Sequence, residues 1–328
     1  LGLTSCSEKK DTSQEENNGT PGAPVETNPP NTNYSPAFAG QTRINGVKTA
    51  ANISHTIITS SLTNPWGITS LPDGRFLVTE KAGRMRIVTT AGVIGDPISG
   101  VPAVNAAEQG GLLGLCLDPD FSNNRMVYWS YSEPGSLTAI AKGRLSDNER
   151  ALENVNVIYR ATPVYAGGKH YGSRVAFDRN GHLFASTGER SDLATRPQSQ
   201  SVNSGLGKVV RINKDGQPIA GNPFIGQAGA RPELYTIGHR NPQGLAIHPV
   251  TGEIWVSEHG PRGGDEINRL EAGANYGWPV ITYGIEYSGQ VIGEAIQQKE
   301  GMKQPVYYWD PVISLSGMTF YTGNRIPE

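Results

Sequence analysis

The sequence contains no run of 18 apolar residues, so no segment has the length of a membrane-spanning helix. It carries little charge: 18% of residues are ionic and the formal net charge is -2, which leaves no basic field for nucleic acid and argues against that partner class. There are two cysteines, Cys6 and Cys116, too few and too differently placed to build a disulfide framework. Sustained helical periodicity is missing, and no GxGxxG turn opens a helix, which disfavours a dinucleotide-binding fold. Turn formers are abundant instead, with 41 Gly and 23 Pro in 328 residues, the composition of many short strands joined by turns.

The strands come as a repeat. A Gly or Ser, a short apolar run, a turn around Asp or Pro, a second run and a closing Glu appear at Gly67 to Glu80 (GITSLPDGRFLVTE), Gly114 to Glu133, Ser173 to Glu189 (SRVAFDRNGHLFASTGE) and Gly244 to Glu258 (GLAIHPVTGEIWVSE). A further copy opens at Gly317 with GMTFYTGNRIPE. The intervals, roughly fifty to seventy residues, leave room for a four-stranded blade with its loops, so the pattern argues for a β-propeller over a generic β-sandwich. Trp66, Trp129, Trp255, Trp278 and Trp309 fall inside repeat strands or turns and read as wedges between blades. Cys116 lies in an apolar run and reads as core packing.

The densest chemistry lies between Gly238 and Pro279, GHRNPQGLAIHPVTGEIWVSEHGPRGGDEINRLEAGANYGWP. Gly244 to Ile247 and Glu253 to Ser257 have strand length and flank the turn Pro249 to Gly252, which predicts a hairpin. His259 to Glu266 follow as a polar, glycine-dense loop. Glycine lets backbone come close to a ligand, and carbonyls with a carboxylate suit a hard cation, so this loop is either an ion or ligand site or an ordinary tight connection.

As a whole this stretch resembles the signature region of the soluble glucose and aldose sugar dehydrogenases that use pyrroloquinoline quinone (PQQ), and the resemblance extends over about residues 52 to 328. It implies an all-β, six-bladed propeller of four-stranded blades, the last blade incomplete, with the cofactor across the face formed by the loops between blades. It also implies oxidation of an aldose sugar at C1, hydride passing to PQQ and electrons to a quinone or cytochrome acceptor. Such chemistry needs a base, a Lewis acid and groups that fix the cofactor.

The resemblance distributes these roles residue by residue. His170, in GGKHYGSRV, matches the catalytic base; a histidine titrates near neutrality, although a lone loop histidine is more often a surface residue. Gly260 and Pro261 match the positions whose carbonyls hold Ca2+ under the cofactor. Glu266 and Tyr276 match a second, structural Ca2+ site, the alternative being a solvated Glu266. Arg240 and Asn241 match the pair that grips PQQ, and an arginine fork suits a planar tricarboxylate. Gln109 matches a glutamine near the base, Arg190 a polar cofactor contact, and Tyr287 an aromatic beside the cofactor or, alternatively, a packing residue. His239 and His259 adjoin these positions.

The two ends carry further expectations. Leu3-Thr4-Ser5-Cys6 resembles a lipobox, so Cys6 is a candidate lipid anchor and the protein a candidate periplasmic or cell-surface lipoprotein. Residues 7–36 are polar and read as a disordered tether, leaving 37–328 as the catalytic propeller domain. Relatives continue past Glu328, so the chain reads as a fragment; a cationic contact to the quinone from the last blade is then missing, an expected loss of about 1.5 to 3 kcal/mol. Two other readings stand beside the dehydrogenase: a non-catalytic calcium-binding propeller serving as a binding or adhesion module, and a calcium-dependent lactone or ester hydrolase. The joint presence of His170, Gln109, Arg240, Asn241 and the Gly260-Pro261 loop favours the dehydrogenase.

Overall fold

The computed structural model describes residues 22–47 and 54–324. The Leu3–Cys6 motif and residues 7–21 of the expected tether lie outside them. Fifteen strands form four antiparallel sheets in which each strand pairs with its sequence neighbour. The first sheet holds β1 (Pro65–Ser70), β2 (Phe76–Glu80) and β3 (Arg84–Val88). The second holds β4 (Leu112–Leu117), β5 (Met126–Glu133), β6 (Leu137–Leu145) and β7 (Leu152–Arg160). The third is β8 (Val175–Phe177), β9 (Leu183–Thr187), β10 (Lys208–Ile212) and β11 (Leu234–Thr236). The fourth is β12 (Pro242–Ile247), β13 (Ile254–Glu258), β14 (Asp265–Leu270) and β15 (Tyr307–Trp309).

The first strands of successive sheets pack side by side, β1 on β4, β4 on β8 and β8 on β12, so the sheets fan about a common line as blades do. Three apolar wedges fill the gaps: Leu77, Met85, Trp129 and Tyr131 between the first two sheets; Tyr128, Ile140, Leu183 and Val210 between the next pair; Phe184, Val209, Leu245 and Val256 in the last. Cys116 packs at the edge of the middle wedge. The repeats seen in the sequence are the first hairpins of the sheets, β1–β2, β4–β5, β8–β9 and β12–β13. Three of their closing glutamates turn a carboxylate back to a backbone N–H: Glu80 to Thr63 (2.5 Å), Glu189 to Ser191 (3.1 Å) and Glu258 to Arg240 (2.8 Å).

The expected six blades are not what forms. The described residues build four, and the first has three strands rather than four. After β3 the chain turns through Thr89 to Gly92 and returns beside it with one isolated bridge, Val88 to Ile94, and single bonds from the Gly95 and Ile98 N–H groups to the Ile87 and Met85 carbonyls, but no fourth strand forms before or after Pro97. Between Gly277 and Met302 the backbone donors are used locally, Ile281 to Gly277, Gly289 to Glu286 and Ala295 to Ile292 among them, with isolated bridges in place of a ladder. Residues 310–324 form no strand; Phe320 packs edge-on against His248 and Trp255 at ring distances of 4.8 and 6.0 Å. Of the stretch read as a tether, residues 22–36 are described, and there Asn31 and Thr32 donate to the Asp310 carboxylate at 2.8 to 3.0 Å. No helix among the described residues is long and apolar enough to cross a membrane.

Candidate active site

Three first strands begin with a register shift, between Pro65 and Ile68, Leu112 and Leu115, and Pro242 and Gly244. A bulge inserts a residue that cannot join the ladder and re-aims its side chain. The residues delivered at the first and last of these, Trp66 and Gln243, stand in a cleft of about 350 Å³. His170, Gln109, Arg240, Asn241, Gly260 and Tyr287 line the same cleft, as do His259, Lys81 and Glu108.

His170 has a positive φ of +49°, a conformation in which a non-glycine residue is held by its surroundings. The hold is visible. Gln109 accepts the His170 N–H through Oε1 at 2.8 Å and sends its own N–H to the Gly168 carbonyl at 3.0 Å. On the other side, a Cβ on Gly188 would collide with the His170 carbonyl, so that glycine is what permits the close approach. The imidazole Nδ1 lies 2.5 Å from Glu189 Oε1. His170 is 5% exposed and Glu189 1%.

Burial, then the positive charge of Arg240, keeps the His170 imidazole well below its ordinary pKa, so the ring is neutral. Burial also pushes the Glu189 carboxyl up to about 7, against the opposing pull of Arg240. When Glu189 is ionised, its oxygen accepts a hydrogen bond from Nδ1–H of the neutral ring, which fixes that tautomer and leaves the Nε2 lone pair as the basic site. Glu189 is the residue sequence reasoning missed here. The only trace of it in the sequence is its place as the closing glutamate of a repeat.

Arg240 and Asn241 sit at the start of β12 and are 5% and 2% exposed. Arg240 Nη1 donates to the carbonyls of His259 (3.0 Å) and Gly260 (2.7 Å), its N–H to Glu258, and its guanidinium lies 5.3 Å from the Trp278 ring centre. Its Nε is buried with no partner. Asn241 Oδ1 accepts the Gly172 N–H at 3.0 Å, tying β12 to the loop that carries His170. Arg190 is placed behind the cleft rather than in its lining: its guanidinium stacks 3.6 Å from the Tyr171 ring centre, Nη2 donates to the Gly167 carbonyl, and Nε and Nη1 are buried without partners. Orphaned guanidinium donors of this kind suit an anionic ligand, since a buried donor without an acceptor is costly. Tyr287 lines the cleft while 72% exposed.

The glycine-dense loop closes on itself. A Cβ at Gly260 would strike the Gly263 and Gly264 carbonyls, and Gly263 and Gly264 have φ of +86° and +75°. The Gly260 N–H is capped by Asp265 Oδ1 at 2.8 Å, while Asp265 Oδ2 accepts the Ile313 and Ser314 N–H groups. Beside the cleft is a void of about 10 Å³, room for one water-sized species, lined by Pro261, Glu258, Glu266 and Tyr276, with Gly260 and Arg240 shared with the cleft.

Asn268 Nδ2 bridges Glu258 Oε1 and Glu266 Oε2 at 3.1 Å each, and Asn268 Oδ1 is buried with no partner. Burial, reinforced by the like charge of Glu258, pushes Glu266 up to about 8. Glu258, buried, and Glu266, half-buried, are held side by side by one amide, and paired carboxylates of this kind suit a hard cation. Among the described residues no three His, Cys, Asp or Glu side chains converge as a metal cluster, so an ion beside Glu258 and Glu266 would also need backbone or amide oxygens. His239 is fully buried between Glu258 (2.9 Å) and Thr236 (2.8 Å), and its ring stacks on Tyr276.

The sequence profile of the Glucose / Sorbosone dehydrogenase family matches residues 62–328. An aldose sugar dehydrogenase of Escherichia coli is 41% identical over 284 residues, covering 85% of this chain and 76% of the relative. A crystal structure of a glucose dehydrogenase superposes with a TM-score of 0.80 at 47% identity, over 83% of this chain and 80% of that one. The PQQ-bound aldose sugar dehydrogenase of Streptomyces coelicolor superposes with a TM-score of 0.68 at 32% identity, over 80% and 73%.

Proposed function

This chain belongs to the Glucose / Sorbosone dehydrogenase family, and from that premise we propose that it oxidises aldose sugars at C1 to lactones with PQQ and Ca2+ as cofactors. The observation that carries the reading is one cleft in which a neutral, carboxylate-bound His170 stands beside Arg240, Asn241 and the Gly260 carbonyl. Sugar binding places the C1 hydroxyl against His170 Nε2, which takes its proton. Glu189, 2.5 Å from Nδ1, then stabilises the imidazolium. Gln109 keeps the base in its strained position by holding the backbone N–H. Arg240 and Asn241 are the groups that would hold the carboxylates of PQQ, Arg240 with an Nε still unpaired. When bound, PQQ supplies the two-electron acceptor that the side chains of this chain lack, and Ca2+ on the Gly260 and Pro261 carbonyls supplies Lewis acidity.

Glu266, with the Tyr276 backbone, would hold a second Ca2+ of structural purpose. Re-oxidation by a quinone or cytochrome, and a lipid anchor at Cys6 that keeps the protein periplasmic or at the cell surface, complete the proposal. The test is to add PQQ and Ca2+ to the purified protein and follow dye reduction on a panel of aldoses beside His170→Ala. Reduction that needs both additions and disappears in the variant supports the reading. Absence of PQQ uptake alongside calcium-raised thermal stability would replace it with the binding-module reading.

A further inference from the structure

Trp66, read from the sequence as a wedge between blades, is absent from all three apolar wedges and has no part in the chemistry above, yet the fold invests in its placement. The shift between Pro65 and Ile68 lifts it out of the β1–β2 ladder. The next residue, Gly67, is pressed so closely against β4 that a Cβ would lie 2.6 Å from the Leu113 carbonyl and the Leu115 side chain. Its N–H is held by Thr79 Oγ1 at 2.9 Å, and Thr79 donates in turn to the Leu113 carbonyl at 2.6 Å. The preceding turn is fixed by the Lys81 N–H on the Asn64 carbonyl at 3.0 Å. The bulge is therefore locked on both sides.

The indole is also supported from one face. The Arg174 guanidinium lies 4.3 Å from the ring centre, and Arg174 Nε donates to the Gln243 carbonyl at 2.8 Å. Arg174 lines a second cavity of about 550 Å³ along the line where the first strands meet, with Leu115 and Leu245. Trp66 lines the cleft instead. The indole thus separates the two spaces, with the guanidinium on the axial side and the cleft on the other.

The cleft itself is asymmetric. Arg240 and Asn241 just before β12 and Gly260 just after β13 are the groups suited to a tricarboxylate; Trp66 on β1 and Lys81 just after β2, its ammonium tied to the Glu108 carbonyl, come from the first sheet; His170 lines the same cleft. A pyranose presents an apolar C–H face to an aromatic ring and its hydroxyls to polar neighbours, and an uncharged indole suits that face. We propose that Trp66 contacts the aldose and sets its affinity, a specificity-determining residue that the first sheet contributes to the cleft. This rests on the sugar dehydrogenase reading of the cleft.

The test uses the protein loaded with Ca2+ and titrated with PQQ before any sugar is added. Trp66→Leu is expected to raise KM for the preferred aldose about tenfold while kcat and PQQ affinity stay within about threefold, and Trp66→Phe to keep most of the affinity. A second readout is independent of turnover. In protein labelled with fluorotryptophan, the resonance that disappears in Trp66→Phe should shift when aldose is added to the PQQ-loaded wild type. An unchanged KM in Trp66→Leu, or a Trp66 resonance that responds to PQQ and not to aldose, overturns the inference while leaving the function in place. If Trp66→Leu fails to fold, the fluorine readout decides alone. A protein that takes up no PQQ overturns the sugar dehydrogenase reading, and the inference with it.

Discussion

Glu189→Gln separates what a carboxylate does for the base from what it costs the fold. In the native protein the carboxylate is 1% exposed and its pKa is pushed up to about 7 from an ordinary value near 4.5. A raised folded-state pKa means that the stabilising contribution is full below about 4.5 and is lost as pH rises through about 7. Each unit is 1.36 kcal/mol, so ionised Glu189 weighs against folding by about 3 kcal/mol above neutrality. The amide carries no such burden, and Glu189→Gln should melt no lower than the wild type at pH 8.

Activity moves the opposite way. The 2.5 Å contact to Nδ1 becomes a neutral hydrogen bond, and losing a charge-assisted one costs about 1.5 to 3 kcal/mol, so kcat should fall roughly ten- to hundredfold. The wild-type rate should also climb with pH through about 7, because only ionised Glu189 holds the proton on Nδ1 and leaves Nε2 basic; the variant should lack that limb. Dye-reduction rates from pH 5 to 9 on PQQ- and Ca2+-loaded protein, with thermal melts at the same pH values, measure both. A variant with wild-type kcat and an unchanged pH profile would refute the assignment of Glu189 to the base.

Other perturbations follow from the same geometry. Arg240→Lys keeps the charge but not the fork that reaches two carbonyls and still has Nε free, so PQQ affinity by fluorescence titration should weaken about ten- to hundredfold with the fold intact by circular dichroism. Without metal, the raised pKa of Glu266 should make thermal stability fall as pH rises through about 8; Ca2+ should restore it, and Glu266→Gln should abolish the calcium response. Trp129→Ala, at a fully buried position in the first wedge, should destabilise by about 3 to 5 kcal/mol in urea unfolding.

What the sequence reveals of the fold is local. The hairpins at Gly67, Gly114, Ser173 and Gly244 are visible because period-two alternation and turn residues act within a dozen positions, and each coincides with the opening hairpin of a sheet. The blade count is not local. Whether residues 277–302 pair as strands depends on which partner their donors find, and they find turns and single distant carbonyls such as those of Gly238 and Arg262 rather than a ladder. Trp66 shows the same limit: in a strand pattern it looks like a wedge beside Trp129, and only the bulge, invisible in the sequence, turns it into the cleft. The candidate site is legible where residues that meet in the cleft share one segment of sequence, as Arg240, Asn241 and Gly260 do. Glu189 and Lys81 reach it by tertiary contact alone. Arg190 lies outside the lining of the cleft, while Glu266 and Tyr276, read as a second site, both line the small void beside it.

The central claim is that the His170 cleft oxidises an aldose, and a single measurement bears on it most directly: aldose-dependent dye reduction by the Ca2+-loaded protein as PQQ is titrated, with His170→Ala run in parallel at matched PQQ occupancy. The account predicts turnover that rises with bound PQQ in the wild type and falls by at least about a hundredfold in the variant. Turnover of equal size in His170→Ala at full occupancy would contradict it.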